Sequence, residues 1–330
     1  MNFKNFFNKL LIFLFIISIF IIPKTCLAYT NKVILGGQNL GIEVNSNGVL
    51  VVGFYKVGNA SPGALAGLKI GDRIIGIDDT VINDITDLSF SSSVLNDKIK
   101  ITYIRNGNKE TTDLKLYKDS SGVYKTGLYV KDSIIGIGTL TFIDPKTNMY
   151  GALGHEIIEK TTGQKFEIAS GKIFKSEITS ITKSERNNPG EKNATYNASE
   201  IYGTITKNGV NGIFGNYIGQ INRSNLIDVA DASEIKLGQA TIRTVISGTE
   251  VKEYEIEILK IYPNNETKNI LFKVVDEELI SKTGGIVQGM SGSPIIQNNK
   301  IVGAVTHVIS DDATKGFGIF ITTMLKEIED

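Results

Sequence analysis

The chain has 330 residues, a formal net charge of zero, a single cysteine and no tryptophan. Hydrophobic residues make up 41% and charged residues 21%, which is the composition of an ordinary globular protein and excludes a largely disordered chain. No stretch forms a basic face, so we expect no nucleic-acid partner. The length predicts two domains and a small extra segment, and 34 glycines with many Ile, Val and Thr runs favour strands over long helices.

Residues 1–28 have the pattern of an export signal. Two lysines precede an apolar run at 10–22, and residues 26–28 provide the small-x-small pattern that signal peptidase cleaves. We expect export across the cytoplasmic membrane. An uncleaved membrane anchor is the alternative, although the apolar run is shorter than the ~18–20 residues that span a bilayer.

Cleavage would remove three lysines, no acid and the only cysteine, Cys26, which leaves a mature chain with a formal net charge of −3. Such a chain has no disulfide and no thiol. This excludes a cysteine nucleophile and cysteine-ligated zinc, and we expect neither a metal nor a cofactor.

After the signal, residues 34–117 have the pattern of a PDZ domain. A short helix is predicted with Ser61 as its N-cap, Pro62 in its first turn and Gly67 as its stop. The surrounding pattern predicts strands at 35–44, 48–54 and 71–79, a helix at 84–95 and a hairpin at 98–116. Residues 60–79 resemble the PDZ domains that accompany bacterial peptidases.

A PDZ domain binds a peptide by adding it as a strand to a sheet. The resemblance implies that the backbone N–H groups of Leu40, Gly41 and Ile42 accept a peptide carboxylate, and that the peptide pairs with residues 42–44. A spacer or a regulatory cover is the alternative role. The chain itself ends in Asp330, which suits an apolar pocket badly, so we expect the ligand to be another segment or another protein.

Residues 118–330 form the second predicted domain, which begins with a polar linker at 118–122. Short strand-like runs separated by turns follow from residue 133 onward, as in an all-β barrel or sandwich. A helical pattern is found only at 322–329. We therefore expect a mainly β protein whose catalytic unit begins near residue 120 and is separable from the PDZ domain.

The most informative stretch is Gly-Met-Ser-Gly-Ser-Pro at 289–294, in which glycines bracket Ser291. Glycines let the backbone turn tightly enough to aim N–H groups at a developing oxyanion. The order resembles the nucleophile loop of chymotrypsin-like serine peptidases, which implies Ser291 as nucleophile and the N–H groups of Gly289 and Ser291 as the oxyanion hole. The alternative is a β-turn rich in Gly and Ser.

A serine nucleophile needs a base, and the chain has only two histidines. His155 lies in a glycine-interrupted apolar run well upstream of the serine. His307 lies sixteen positions after Ser291, on the second strand of the hairpin that follows the serine. We predict His155 as the general base, and we predict that Thr306 and His307 contact the substrate. The alternative for His155 is a structural role, as a hydrogen-bonded histidine of the core.

Three further features identify a family. They are Gly154-His155, the run Gly284–Ile295 that includes the serine, and the charged segment Lys183–Lys192. Together with a signal segment and a PDZ domain, they resemble the SpoIVB peptidase family of endospore-forming bacteria, over essentially the entire mature chain. The resemblance implies a mainly β fold: a PDZ domain followed by a chymotrypsin-like double β-barrel serine peptidase.

The resemblance also implies a role in sporulation. Enzymes of this family are made in the forespore and exported into the space between its two membranes. They cleave the inhibitory partner of a membrane-embedded metalloprotease, which releases a late sigma factor from its pro-form, and they cleave themselves. The PDZ domain is expected to hold the enzyme inactive or to engage partners.

The acid that would orient the base has three candidates. Analogy with ordinary chymotrypsin-like enzymes favours an acid well before the serine, either Asp228 or Asp231. The family resemblance instead points to an aspartate fifteen residues ahead of the serine, which is Asp276. We predict Asp276, and a water-exposed acid at a strand end is the alternative role for this residue.

Two functions from other classes stay open on the sequence alone. In one, the serine loop is a non-catalytic turn and the protein is a PDZ-based scaffold. In the other, the protein is a signalling ligand whose own cleavage matters more than any substrate. A serine and a histidine within ~2.6–3.2 Å of one another favour the enzyme over either alternative.

Overall fold

The structure is a computed structural model, and it describes residues 30–88 and 97–329. The export-signal prediction for residues 1–28, and with it Cys26, lies outside the described residues. So does most of the helix predicted at 84–95, of which Ile85–Leu88 forms a 3-10 helix. Among the residues that are described, no helix is long and apolar enough to cross a membrane.

Strands dominate the described residues. In the first half of the chain they are β1 (Lys32–Leu35), β2 (Asn39–Phe54), β3 (Arg73–Ile77), β4 (Thr80–Val81), β5 (Lys98–Arg105), β6 (Asn108–Lys115), β7 (Tyr117–Lys118), β8 (Tyr124–Lys125), β9 (Leu128–Ile143) and β10 (Met149–Ala152). In the second half they are β11 (Ser170–Thr182), β12 (Glu191–Thr204), β13 (Lys207–Gly209), β14 (Gly212–Asn216), β15 (Leu226–Val229), β16 (Gly238–Val245), β17 (Val251–Ile261), β18 (Ile270–Val274), β19 (Pro294–Gln297), β20 (Lys300–Ile309) and β21 (Asp312–Phe320).

The helices are short. They are α1 (Pro62–Leu65), α2 (Glu277–Thr283) and α3 (Ile321–Lys326), with 3-10 turns at Arg223–Asn225 and Ala232–Glu234. α1 and α3 occupy the places where helices were predicted, whereas α2 was not predicted. α2 begins after Asp276, whose side chain caps it, and ends at Gly284, which has a left-handed φ of 72°.

The first barrel closes from six strands. The first half of β2 pairs antiparallel with β9 on one side and with β11 on the other. β9 pairs with β10, β10 with β14, and β11 with β12. A bridge between Gly203 of β12 and Tyr217, which directly follows β14, completes the ring. The buried core inside it includes Leu40, Ile42, Val44, Ile143, Ile173 and Ile213.

The second barrel also closes from six strands, β16 to β21. The ring runs β16–β17–β18–β21–β20–β19 and returns to β16, and every neighbouring pair is antiparallel. The pattern is clearest in β17, where Tyr254, Ile256 and Ile258 are buried and the glutamates at 253, 255 and 257 are exposed. This alternation with a period of two is what places one face of each strand in the barrel core.

The two barrels pack against each other around a third apolar cluster. Its buried members come from both barrels and from α3, and they include Val33, Phe142, Phe214, Ile301, Ile319 and Met324. β1 pairs with β9 and β15, and β15 pairs in parallel with β20, so the strand ladders connect the barrels as well. This confirms the prediction of a mainly β protein with a PDZ domain followed by a chymotrypsin-like double β-barrel.

The PDZ domain is inserted into a hairpin of the first barrel. The second half of β2 pairs with β3 and with the start of β9, and β3–β5–β6 continue the sheet around a separate apolar core. β2 leaves the first barrel at Asn45, and β9 enters it at Ser133, which is the partner of Asn45 in the ladder. Residues 39–45, predicted as part of the PDZ domain, therefore complete the first barrel. This corrects the expectation that the catalytic unit begins near residue 120.

The insertion predicts which shortened chains fold. Replacing residues 46–132 by Asn-Gly should give a chain that folds, because Asn45 and Ser133 already face each other across an antiparallel ladder that a two-residue turn can close. Fragment 120–330 should not fold. It loses Leu40, Ile42 and Val44 from the barrel core, which costs roughly 5–9 kcal/mol at ~1.5–3 kcal/mol for each side chain and approaches the whole stability of a typical domain.

Thermal unfolding followed by circular dichroism measures both chains. A single cooperative transition is expected for the 46–132 replacement and none for fragment 120–330. A cooperative transition in the fragment would contradict the placement of the first half of β2 in the first barrel.

Candidate active site

The serine loop, residues 288–293, connects α2 to β19 and lies against both barrels. Gly289 and Gly292 have φ angles of +93° and +91°, which side chains with a Cβ rarely adopt. Gly292 also lacks room for a side chain, since a Cβ there would lie 2.1 Å from Thr139 O and 2.5 Å from Leu153 N. The glycine pattern therefore serves a tight turn and a close approach to the first barrel.

Strand β9 holds the backbone of the serine loop. Thr139 donates from its N–H to Ser291 O at 3.0 Å and from its hydroxyl to Gly289 O at 2.8 Å. Thr141 donates from its hydroxyl to Gly292 O at 2.8 Å. The two threonines are buried and alternate along β9, so both point to the same side of the strand. The run Gly-Thr-Leu-Thr-Phe carried this signal, and the sequence analysis missed it.

The N–H groups of Gly289 and Ser291 take no part in the backbone hydrogen bonds that fix the loop. Carbonyls of the described residues accept from the N–H groups of Gln288, Met290, Gly292 and Ser293, but none accepts from those of Gly289 or Ser291. These are the two donors predicted for an oxyanion hole. Two unpaired N–H groups on either side of one peptide unit can bind an oxyanion that forms beside Ser291.

The two serines of the loop differ in exposure. Ser291 is partly exposed, and its hydroxyl donates to Thr306 O at 3.0 Å. Ser293 is 0% exposed, and its hydroxyl is buried without a hydrogen-bond partner among the described residues. A substrate can therefore reach Ser291 and not Ser293, which supports the predicted choice of nucleophile.

His155 follows β10, in a loop with an unusual backbone. Leu153 and Gly154 have φ angles of +68° and +71°, and a left-handed conformation is costly for a residue such as leucine. The buried Leu153 side chain contributes to the core of the first barrel, and Gly154 lies over Thr306. Packing in both barrels therefore holds the strained turn that presents His155.

The imidazole of His155 has a defined tautomer. Its Nδ1 lies 2.8 Å from Glu156 O, and because a carbonyl only accepts, Nδ1 donates and Nε2 keeps a free lone pair. Burial lowers the pKa of His155, and the backbone carbonyl and carboxylate of Glu156 oppose that effect in part. At neutral pH the ring is therefore an uncharged base. Glu156 is a further residue that the sequence analysis missed, although it directly follows His155.

The structure places the two histidines beside one another and close to the strand that contacts Ser291, but the Ser291 hydroxyl bonds to Thr306 O and makes no hydrogen bond to His155. The rings of His155 and His307 have centroids 5.5 Å apart, and Thr306 lies between the loops that carry His155 and Ser291. Loss of hydration, together with the neighbouring His155 and Lys268, lowers the pKa of His307 to about 4. His307 is exposed at the site, as a residue that contacts substrate must be. Thr306 is buried, its hydroxyl donates to Phe317 O, and only its carbonyl reaches Ser291.

The structure does not bring the predicted acid to His155. Asp276 is the N-cap of α2, and its carboxylate accepts from Leu279 N at 2.8 Å and from Glu255 N at 3.3 Å. Asp228 pairs with Lys32, and Asp231 caps the 3-10 turn that begins at Ala232. The hydrogen bond that orients His155 comes from Glu156 O instead of from any of the three aspartates.

The residues predicted to hold a PDZ ligand are already paired. Gly41 faces Ile137 of β9 on one side and Phe174 of β11 on the other, and its two neighbours are paired in the same way. Leu40 and Ile42 are buried in the core of the first barrel. The structure therefore contradicts the prediction that residues 40–42 accept a peptide, because this strand has no free edge.

The charged segment noted in the sequence braces the serine loop. Ser184 donates from its hydroxyl to Ile286 O and accepts from Gly190 N, both at 2.8 Å. Gln288 N then donates to Gly190 O, and Lys192 N donates to Gln288 O. The segment 184–192 thus runs beside residues 283–288 and fixes the entrance to the loop. Within the described residues, no cluster of His, Cys, Asp and Glu could hold a metal ion.

Comparison with known proteins identifies both parts of the chain, although the PDZ match includes residues 39–45, which pair within the first barrel. The family model for SpoIVB peptidase S55 matches residues 122–325, and a PDZ domain model matches residues 39–116. A serine protease Do-like HtrA of Lactococcus lactis subsp. lactis is 42% identical over 78 residues, which are 23% of this chain and 18% of that protein. The chain thus spans less than a fifth of the length of this curated relative.

Among solved structures, the PDZ domain of an SdrC-like protein from Listeria monocytogenes is 28% identical. It covers 26% of this chain and 90% of its own, with a TM-score of 0.23. The active form of the Rv3671c protease from M. tuberculosis is 16% identical, covers 59% of this chain and 74% of its own, and has a TM-score of 0.34. Because the S55 model matches more than half of the chain, the protein belongs to the SpoIVB peptidase S55 family and is a PDZ-containing serine peptidase.

Proposed function

We propose that this serine peptidase is an endopeptidase that uses Ser291 as nucleophile and His155 as general base. One observation carries the proposal. Ser291 is the reachable hydroxyl of a glycine-bracketed loop, and the two N–H groups beside it have no acceptor within the described backbone. A peptide carbonyl placed there would meet a nucleophile and two oxyanion donors at once.

The proposed reaction begins with a rotation of the Ser291 side chain. In the structure its hydroxyl donates to Thr306 O, so the Oγ–H must turn toward His155 before the proton can leave. The hydroxyl oxygen then attacks the peptide carbonyl while Nε2 of His155 takes the proton. The N–H groups of Gly289 and Ser291 hold the oxyanion. The protonated His155 next gives its proton to the leaving amine. Water then attacks the acyl-enzyme while His155 takes a proton from it, and His155 returns that proton to Ser291 Oγ as the acid product leaves.

His155 would act without a buried aspartate. Its Nδ1–H is held by Glu156 O, which fixes the tautomer that a base needs. The carboxylate of Glu156 supplies the nearby negative charge that favours the protonated ring during the reaction. The arrangement is therefore a serine–histidine pair whose base is oriented by the adjoining backbone.

Family membership supports a more specific proposal for the biological role. The enzyme would be exported and act close to the membrane, in the space between the two membranes of the forespore. It would cleave the inhibitory partner of an intramembrane protease, and itself, in the sporulation signalling that activates a late sigma factor. The PDZ domain would bind a peptide at a place other than residues 40–45, whose strand has both edges paired.

Substitution of the two loop serines tests the nucleophile. Ser291→Ala should abolish labelling by a fluorophosphonate probe, because the probe reacts only with an activated serine. Ser293→Ala is the matched control in the same loop and should keep labelling, since its hydroxyl is buried. Mass spectrometry of the labelled peptide measures the site. Full labelling of Ser291→Ala would exclude Ser291, and an unlabelled wild-type protein would favour a PDZ-based scaffold.

The role of Asp276 is tested by Asp276→Asn. Asparagine is as good an N-cap as aspartate, so α2 should be retained. We expect the labelling rate to stay within a few-fold of wild type, because the carboxylate has other partners than His155. A loss of about 10⁴-fold, the effect of mis-setting the histidine in a triad, would show that Asp276 orients His155 in the working enzyme.

The pH dependence of labelling tests His155 as the base. Burial lowers the pKa of His155 below the ordinary histidine value of 6.5, so the uncharged base persists as the pH falls through 6.5. The acid limb of the labelling rate should therefore have its midpoint below 6.5. A midpoint above 7 would show that a different group, or a differently placed His155, takes the proton. His155→Ala should abolish labelling, and with it the fall in labelling rate at acid pH.

A further inference from the structure

Lys192 is a buried lysine without an acidic partner. Lys192 is 4% exposed, and no carboxylate of the described residues forms an ion pair with its amine. The amine donates to Thr244 Oγ1 at 2.9 Å and lies 3.4 Å from Asn39 Oδ1. Asn39 belongs to β2 of the first barrel and Thr244 to β16 of the second barrel. The side chain of Lys192 therefore connects the two barrels beneath the active site.

The stem of the same side chain lies against the serine loop. A Cβ placed on Gly289 would be 3.1–3.3 Å from the Cβ, Cγ and Cδ atoms of Lys192. The backbone N–H of Lys192 donates to Gln288 O at 3.0 Å, so main chain and side chain both contact residues that precede Ser291. Gly289 carries one of the two oxyanion N–H groups, and its direction depends on these contacts.

The surroundings of the amine favour its uncharged form. Burial lowers the pKa of Lys192 to about 7. The charged neighbours in the chain are Glu191, which is exposed, and Arg243, which precedes Thr244 and lies 3.5 Å from Glu253. Asn39 is itself committed, since its Nδ2 donates to Ser176 Oγ at 2.7 Å. The amine thus has hydroxyl and amide partners and no counter-charge.

We propose that Lys192 is a positioning residue for the oxyanion hole: its amine anchors the side chain to both barrels, and its stem fixes Gly289. This rests on the proposed function of the serine loop. The amine does not touch the substrate. Its effect reaches the reaction through the direction of the Gly289 N–H group, so its loss should slow the chemical step and leave probe binding nearly unchanged.

Labelling by a fluorophosphonate of the full chain tests the proposal, because saturation kinetics separate binding of the probe from reaction with it. Lys192→Ala removes both the anchor and the stem. It should lower the maximal labelling rate by about 10²-fold, which is the effect of a misplacement near 1 Å. The half-saturating probe concentration should change by less than about threefold. Lys192→Met keeps the stem and loses only the anchor, so it should lower the maximal rate several-fold, as Thr244→Val should, and not about 10²-fold. Lys183→Met, at an exposed lysine of the same segment, is the matched control and should behave like wild type.

Thermal unfolding gives a second readout. Between about pH 7 and 10.5 the unfolded chain binds a proton that buried Lys192 does not, so the contribution of Lys192 to wild-type stability rises with pH across this window. Lys192→Met has no such dependence. It should be the more stable protein at pH 7, and its advantage should shrink toward pH 10.5.

The outcomes separate the two proposals. A reactive wild type with an equally reactive Lys192→Ala, or with a change only in half-saturation, would overturn the positioning role and leave the function intact. An unreactive wild type would overturn both. If Lys192→Ala does not fold, Thr244→Val removes the anchor at constant shape and should lower the maximal rate several-fold, and an unchanged rate there would overturn the role of the anchor.

Discussion

The contact between Gly292 and the backbone of the first barrel is the constraint on which the site depends. A Cβ at residue 292 would overlap Thr139 O and Leu153 N, so only glycine lets the serine loop lie this close to β9 and to the turn that carries His155. Thr139 then holds Ser291 O and Gly289 O with its two donors. Ser291 and His155, the proposed nucleophile and base, come from different barrels, and this close approach brings the serine loop against the turn that precedes His155.

The sequence predicted those parts of the site that are encoded locally. The glycines around Ser291 and the alternation in β17 are patterns of neighbouring residues. The scarcity of histidine leaves only two candidates for the base. Asp276 illustrates the limit of such reasoning. Its spacing from the serine suited a catalytic acid, but whether a carboxylate caps a following helix or reaches a histidine more than a hundred residues away depends on tertiary packing. Glu156 O could not be foreseen for a related reason, since every residue has a carbonyl and only the strained turn at 153–154 aims this one.

The domain boundary shows the same limit. Residues 39–54 form one continuous strand, in which a polar stretch at 45–48 separates the alternating apolar residues at 40–44 from the apolar run at 49–52. The pattern records that a face is buried and not which partner covers it. In the fold, β11 covers residues 40–45 and leaves no edge for a peptide, whereas residues 49–54 pair with β3 and the start of β9. Residues 40–45 have a local pattern that is typical of the ligand-binding strand of a PDZ domain, but in the fold they form a strand of the first barrel.

This shared hairpin has a mechanical consequence for the active site. β9 begins in the PDZ domain at Leu128, passes the junction at Ser133 and reaches the serine loop at Thr139 without interruption. A β-strand changes register only in steps that turn its side chains to the opposite face, and the Thr139 and Thr141 hydroxyls bond the serine loop from one face. The PDZ domain is therefore joined to the serine loop by one unbroken strand, β9. A load on the inserted domain reaches the element that holds the serine loop through β9, which runs unbroken across the junction, whereas the β2–β9 ladder shifts register there between Asn45 and Leu50.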